Sequence, residues 1–438
     1  MSPEYLGLVL LAALLTGIFV GFPIAFTLII LSLVFGYIGF GETVFYLMVF
    51  QTIGLMKEET LAAVPLFIFM GHVLERAGLM ERLFNAFRLI LAPVRGSLYL
   101  GVLFTSTIFA TATGIIGASV TVMGLMAAPA MTKARYDPKL SAGAITAGGT
   151  LGILIPPSVM LVVMGPIVGI SIVELFAAAI VPGLLLSGLY IAYVMIRSFM
   201  NPALGPPLPM EERATSYGQI VREFFAGVVP LAVIIFAALG SIIAGLATPT
   251  EAAAMGAAGA VLLTLLYGRL NYPMMRDAAI KTLQTSSLVL FLAVASNVYG
   301  AVFTRLGTST MIANALAALP VPPLVMLALL MFVIFLLGWP LEWPAIIFIF
   351  LPIFVPVVQA LKFDMVWFSV LVAVNLQTAF LSPPVAMAAY YLKSVAPQWE
   401  LRDIYRGMFD FMVLQVVGLA IIFFFPQIVL WLPNLLFK

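Results

Sequence analysis

From Leu98 to Thr132 the chain runs 35 residues without one Asp, Glu, Lys, Arg or His. Its flanks are basic on both sides, Arg95 before and Lys133 and Arg135 after. Two full membrane crossings need about 20 residues each plus a turn, which is more than this stretch holds. One crossing would put its ends on opposite faces, whereas basic flanks belong together on the cytoplasmic side. A re-entrant hairpin, two half-helices meeting at a tip near Thr113 and Gly114, satisfies both limits. Irregular backbone at that depth is tolerated only where protein or a water-filled cavity surrounds it. Lipid as the solvent follows from composition: 63% hydrophobic residues, 9% charged and a mean hydropathy of +1.19. Ordinary soluble domains are about 25% charged. The net charge of +2 gives no reason to expect nucleic acid, and without cysteine there is no disulfide or thiolate metal site.

Apolar runs predict spans near 5–21, 24–40, 60–77, 172–198, 222–245, 250–268, 281–300 and 407–432. The first has no basic n-region and reads as a retained span. Gly41–Glu59 mixes charges with aromatics and reads as an interfacial amphipathic arm. Asn201–Gln219, with Pro202, Pro206, Pro207 and Pro209, is a polar linker. The positive-inside rule leaves only Lys57, Arg305, Lys362 and Lys438 outside and puts both termini on the outer side.

The chain echoes itself. At an offset of 227, Pro156–Pro157 falls on Pro383–Pro384, Ala118 on Ala345 and Pro129 on Pro356. At 229, Arg76 falls on Arg305, Gly78 on Gly307 and Asn85 on Asn314. The first copy ends Val73–Arg76 on the basic side and the second ends Val302–Arg305 on the outer side, so the repeat is inverted, a recurring transporter plan. A second hairpin then covers 322–361 with its tip at Leu336–Pro344.

Both proline pairs sit where an unbroken helix would be expected. Pro156 and Pro157 lack N–H groups, which frees carbonyls one turn earlier near Gly152 and Ile153. Gly148, Gly149 and Gly152 let the chain unwind without a Cβ clash. Freed carbonyls with the Thr150 hydroxyl suit a hard monovalent cation such as Na⁺, and the tip beside them adds Thr113, Gly114 and Ser119. The second copy offers Asn375, Gln377, Thr378 and Ser382 beside the tip Gly338–Glu342. Half-helix N-termini can face a carboxylate.

Other candidates are lesser. His72 is the only histidine and reads as a structural imidazole; Glu75 is expected to pair with Arg76 or Arg82. A carboxylate such as Glu342 costs about 2.5 kcal/mol or more in lipid unless paired or wetted. Thr248–Glu251, "TPTE", reads as a capping box. Trp343, Trp367, Trp399 and Trp431 suit interface anchoring. Metalloprotease, P-loop and nucleophile-elbow motifs are absent from the sequence.

Four segments, "TATGIIGASVTVMGLMAAPAM", "YDPKLSAGAITAGGTLGILIPPSVML", "GLATPTEAAAMGAA" and "WFSVLVAVNLQTAFLSPPVAMAAYYLKSVAP", closely resemble the large membrane subunit of tripartite ATP-independent periplasmic (TRAP) transporters, the DctM-like family. The resemblance covers essentially the whole chain. It implies an all-α polytopic protein of the bacterial or archaeal cytoplasmic (inner) membrane, an inverted repeat with two re-entrant hairpins and two broken helices, working as an elevator-type transporter. It implies scaffold helices and an arm in 1–77, and a transport domain in 78–171 with hairpin 97–132 and broken helix 138–166. Scaffold helices return in 172–300 around the loop 201–219. The transport domain resumes in 301–406 with broken helix 365–393, and one C-terminal membrane helix fills 407–438. The implied activity is sodium-coupled import of a small organic anion, a carboxylate, by a non-enzyme. The implied partners are a separate small four-helix membrane subunit and a periplasmic solute-binding protein. Carried over, one sodium site uses Thr113–Ser119 with Gly149, Thr150 and Gly152; the other uses Gly338 and Glu342 with Asn375, Gln377 and Thr378. Substrate lies between the tips, near Thr113, Gly114, Ser119, Pro156, Pro157, Ser382 and Pro383. Many family members carry a G-S-S tip where this chain has Gly117–Ala118–Ser119.

Overall fold

The computed structural model describes residues 2–114, 116–210, 213, 217–383 and 386–437, and of residues 112, 113, 217 and 317 the backbone alone. Helix is the only regular structure among them, and seven helices are long and apolar enough to cross a bilayer. One packing group contains α1 (Pro3–Val20), α2 (Ile24–Phe40), the arm α3 (Thr43–Met56), α4 (Ala63–Arg76) and the amphipathic connector α5 (Leu79–Ile90). The second contains α6 (Ser97–Thr113), α7 (Ile116–Lys133), α8 (Pro138–Thr150), α9 (Val159–Val168) and α10 (Ile172–Met200). The chain then returns to the first group with α11 (Tyr217–Ile243), α12 (Pro249–Leu266) and α13 (Tyr272–Arg305). It continues through α14 (Thr308–Ala317), α15 (Pro323–Leu337), α16 (Trp343–Ala345), a π-helical turn Ile346–Phe350, α17 (Leu351–Ala360), α18 (Met365–Thr378), α19 (Met387–Val395), α20 (Leu401–Phe424) and α21 (Gln427–Phe437).

Local chemistry sets the helix ends. Asp137 caps α8 by accepting from the Leu140 N–H at 2.8 Å, and Asp364 caps α18 through Val366 and Trp367. The capping box at α12 forms as expected, with Thr248 and Glu251 bonded reciprocally around Pro249. Gly78 (φ 73°) and Gly307 (φ 81°) both turn left-handed, just after Arg76 ends α4 and Arg305 ends α13. Only glycine adopts that conformation cheaply.

The repeat is structural. Adding 227 to the bounds of α7 gives 343–360, the observed extent from Trp343 to Ala360; α8 maps onto 365–377, and α9 onto 386–395. Its inversion can be read along α20. Lys139 of α8 lies beside Asp403 (3.9 Å), Gly143 beside Gly407 and Phe411, and Gln415 donates to Thr150, so α8 runs parallel to α20. On α18, the Trp367 indole donates to the Ile422 carbonyl at 2.9 Å while Gln377, ten residues on, reaches Thr150 beside Gln415. α18 therefore runs antiparallel to α20, and to α8.

The first hairpin returns to its starting face: the Tyr136 hydroxyl lies 3.2 Å from Ser97 Oγ, and the Tyr99 and Tyr136 rings pack edge to face. The linker closes that mouth. The Leu204 carbonyl accepts from the Tyr99 hydroxyl and the Asp137 N–H, and the Gly205 carbonyl from Gly96. Nothing in hydropathy announces this strap.

Several expectations need correction. The helix from Ile172, assigned to the scaffold, packs instead on α6, α8, α9, α18 and α20. Small residues decide this: Gly183 fits against Ile155, and Ser187 lies 2.6 Å from Thr107. The arms of the 322–361 hairpin diverge below the tip, α15 packing on α18 while the Trp343–Ala360 arm packs on α9, α13 and α14. The C-terminal membrane helix is two helices, because Pro426 supplies no N–H to continue α20. The predicted 281–300 span is the middle of a 34-residue helix capped by Asn271. Trp367 and Trp399 are buried, not interfacial anchors. Glu75 faces His72 at 3.4 Å rather than an arginine, since Arg76 pairs with Asp277 and Arg82 lies over the Tyr267 ring. Lys438 lies outside the described residues.

Candidate functional site

The first hairpin tip sits on the first break. Gly114 is left-handed (φ 60°) and lies against the break: a Cβ there would stand in van der Waals contact with Val159, at 3.4 Å, and with the Gly152 carbonyl oxygen, at 3.8 Å. Pro156, four residues after Gly152, has no N–H to offer that carbonyl. Behind the tip, Val120 packs on Gly149 and Ser106 on Gly148, at distances that leave no room for a side chain. The Ile153 carbonyl, expected to be free, accepts the Ser158 hydroxyl. Between the half-helices α8 and α9 lies a single 3₁₀ turn, Leu151–Ile153, and the Pro156–Pro157 peptide is cis.

The second tip repeats this contact. A Cβ on Gly338 would lie 3.0 Å from that of Ala379, the first residue after α18. Ser382 donates to the Thr378 carbonyl at 2.8 Å, and Ala386, at φ 36°, starts α19 from a left-handed backbone. Pro384 lies outside the described residues, as does the Thr113 side chain.

The two breaks meet each other. Thr150 Oγ1 lies 3.3 Å from Gln377 Oε1, a pair separated by 227 residues, the offset of the repeat. The pseudo-two-fold axis thus passes between two side chains in contact. Gln415 of α20 donates to the same hydroxyl at 3.2 Å, and Tyr190 of α10 faces both. All four are fully buried. Thr150 has one proton, directed mainly at the Ala147 carbonyl at 2.8 Å and shared with Gln377 Oε1 at 3.3 Å, while a lone pair of its hydroxyl accepts from Gln415.

A cavity of about 230 Å³ lies between the tips. Gly114 and Gly117 line it from the first tip, Glu342 and Trp343 from the second, and Ile153, Val159, Phe380 and Tyr391 from the breaks. Thr285, Leu288 and Val289 of α13 and Ile68 of α4 close the far wall. Glu342 is exposed to this space, which provides the wetting a carboxylate at that depth requires.

The structure brings together some expected site residues and separates others. Gly114 and Glu342 line the cavity; Ser119, Pro156, Pro157, Ser382 and Pro383 do not. Thr150 and Gln377, assigned to different ion sites, share one cluster because the inverted halves meet end to end. Asn375 turns away from the second tip and donates to the Met331 carbonyl of α15 at 2.6 Å. Thr378 is satisfied on its own helix by the Asn375 carbonyl. Tyr391, Phe380 and the α13 wall were missed; an aromatic or a threonine in an apolar helix carries no signal of which face it turns. Among the described residues no three His, Asp or Glu side chains come together as a metal site.

Two inverted half-repeats that each seat a hairpin tip on a broken helix, around a shared cavity, define a membrane transporter. A crystal structure of the YdaH transporter of Alcanivorax borkumensis, described as having an unusual topology, matches the fold with a TM-score of 0.68 over 99% of this chain and 100% of that one, at 15% identity. The family model "Tripartite ATP-independent periplasmic transporter, DctM component" matches residues 8–428. The sialic acid TRAP transporter large permease SiaM of Vibrio cholerae is 31% identical over 95% of this chain and 96% of its own length. The 2,3-diketo-L-gulonate large permease YiaN of Escherichia coli is 27% identical over 97% and 98%. The C4-dicarboxylate large permease DctM of Pseudomonas aeruginosa is 28% identical over 86% and 87%. The chain belongs to the DctM family and is the large permease component of a TRAP transporter, a multi-pass transport protein and not an enzyme.

Proposed function

We propose that this permease imports a small organic anion, a carboxylate, with sodium ions across the cytoplasmic membrane of a bacterium or archaeon. A periplasmic binding protein delivers the anion, and a separate small four-helix subunit completes the membrane unit. The observation that carries the reading is the central cavity, where both tips and both breaks converge. The relatives named for sialic acid, diketogulonate and C4-dicarboxylates support an organic anion. One sodium lies between the Gly114 tip and the Gly152 carbonyl, the other beside Gly338–Glu342 and the end of α18. Thr150 and Gln377 act by holding the breaks together rather than as ligands. The block of α6–α10 and α18–α20 slides against the α2–α4 and α11–α13 group as an elevator.

Sodium has an energetic role. An interior negative by 100 mV opposes each entering negative charge by about 2.3 kcal/mol. Two sodium ions with one monocarboxylate reverse that sign. In proteoliposomes containing both partner proteins, uptake of the anion that co-purifies with the binding protein requires an inward Na⁺ gradient. Full uptake with K⁺ in place of Na⁺ and no proton gradient refutes sodium coupling.

A further inference from the structure

The repeat sets two arginines in equivalent places, and they meet different fates. Arg76, ending α4, is neutralised by Asp277. Arg305, ending α13, has no carboxylate partner among the described residues; its guanidinium lies 5.1 Å above the Phe40 ring. Glu4, whose side chain reaches Gly307, accepts from the Ser2 hydroxyl instead. Arg305 borders a second cavity, of about 530 Å³, between the arm α3, α13, the end of α9 and the second hairpin. Its polar lining is neutral: Gln51, Ser296, Asn297 and Thr304. The Ser296 residue is 1% exposed and its hydroxyl has no partner, while Asn297 donates to the Gln51 carbonyl at 3.1 Å.

α13 links this cavity to the central one. Thr285 and Val289 wall the central cavity; Ala293, Asn297, Ala301 and Arg305 wall the outer one. These six follow one i, i+4 row, a ridge that winds around the helix by about 40° at each step from one cavity to the other. A lone guanidinium with hydroxyl and amide donors and no competing carboxylate is the donor set a carboxylate requires.

We propose that this outer cavity is a carboxylate-binding vestibule centred on Arg305, from which the anion passes along the α13 row to the central cavity. The proposal deepens the import reading, and its test needs no transport, so either can fail alone. The chain has no native cysteine, so a single introduced thiol reports cleanly. Thr304→Cys, with Ala301→Cys as a second reporter, is made in the full chain with its membrane partner in vesicles. Each is labelled with an anionic sulfonatoethyl or a cationic trimethylammonioethyl methanethiosulfonate, with rates normalised to a free thiol. A unit charge about 7 Å away in a water-like medium favours the anion over the cation by roughly eightfold. That preference is expected, with propionate slowing the anionic reagent. Arg305→Gln abolishes both effects, Arg305→Lys retains the preference, and Arg76→Gln leaves it unchanged. Equal rates for the two reagents, or a preference that survives Arg305→Gln, overturns the proposal.

Discussion

Gly407→Ala tests whether α8 and α20 meet backbone to backbone. A methyl group there would lie 2.7 Å from the Lys139 carbonyl carbon and 3.1 Å from the Gly143 nitrogen, and closer still to the Lys139 oxygen. Every obstructing atom is backbone, so no rotamer change relieves the clash. The helices must separate by about 1 Å or more, and a gap of that size forfeits roughly a quarter to a half of the dispersion well for each contact. In lipid no hydrophobic force opposes the separation; helix association rests on close packing of small residues. Overpacking of this kind costs about 1–3 kcal/mol. The displacement also pulls Thr150 away from Gln415 and Gln377, so uptake should fall with stability. Gly188→Ala in α10 is the control, because nothing lies within 4 Å of its Cβ position. It should be neutral or stabilising by up to about 1 kcal/mol. Thermal unfolding in detergent, followed by the fluorescence of buried Trp367 and Trp399, separates the two. If both variants melt with the wild type, the close contact assigned to α8 and α20 is wrong.

Three further outcomes are expected. Ser158→Ala strips the Ile153 carbonyl of its hydroxyl partner, at a cost of about 1–2 kcal/mol; an unchanged melting temperature would contradict that bond. Asp137→Ala removes the α8 cap and costs about 1 kcal/mol, measured the same way against Asp137→Asn, which should retain most of it. Tyr99→Phe takes one of the two donors from the Leu204 carbonyl, so limited proteolysis should cut the 201–216 linker faster, and equal cutting rates would rule out a clamping role.

What local chemistry writes, the sequence shows. The charge-free stretch from Leu98 announced a hairpin, and Ser97 and Tyr136 do close its mouth. The glycine and proline signals marked the first break, and the 227-residue offset anticipated helix bounds in the second half to within one or two residues. These features follow from backbone freedom and from the energy of moving charge into lipid, both properties of short segments. Lateral packing is different. A helix face toward lipid and a face toward protein are equally apolar, so hydropathy could not tell that α10 belongs with the broken helices or that the second hairpin splays. Nor could it tell that Thr150 touches Gln377, or that Gln415 and Tyr190 complete that cluster from helices far along the chain. Those choices rest on shape, a glycine against a carbonyl or a serine against a threonine, and only the assembled bundle decides them.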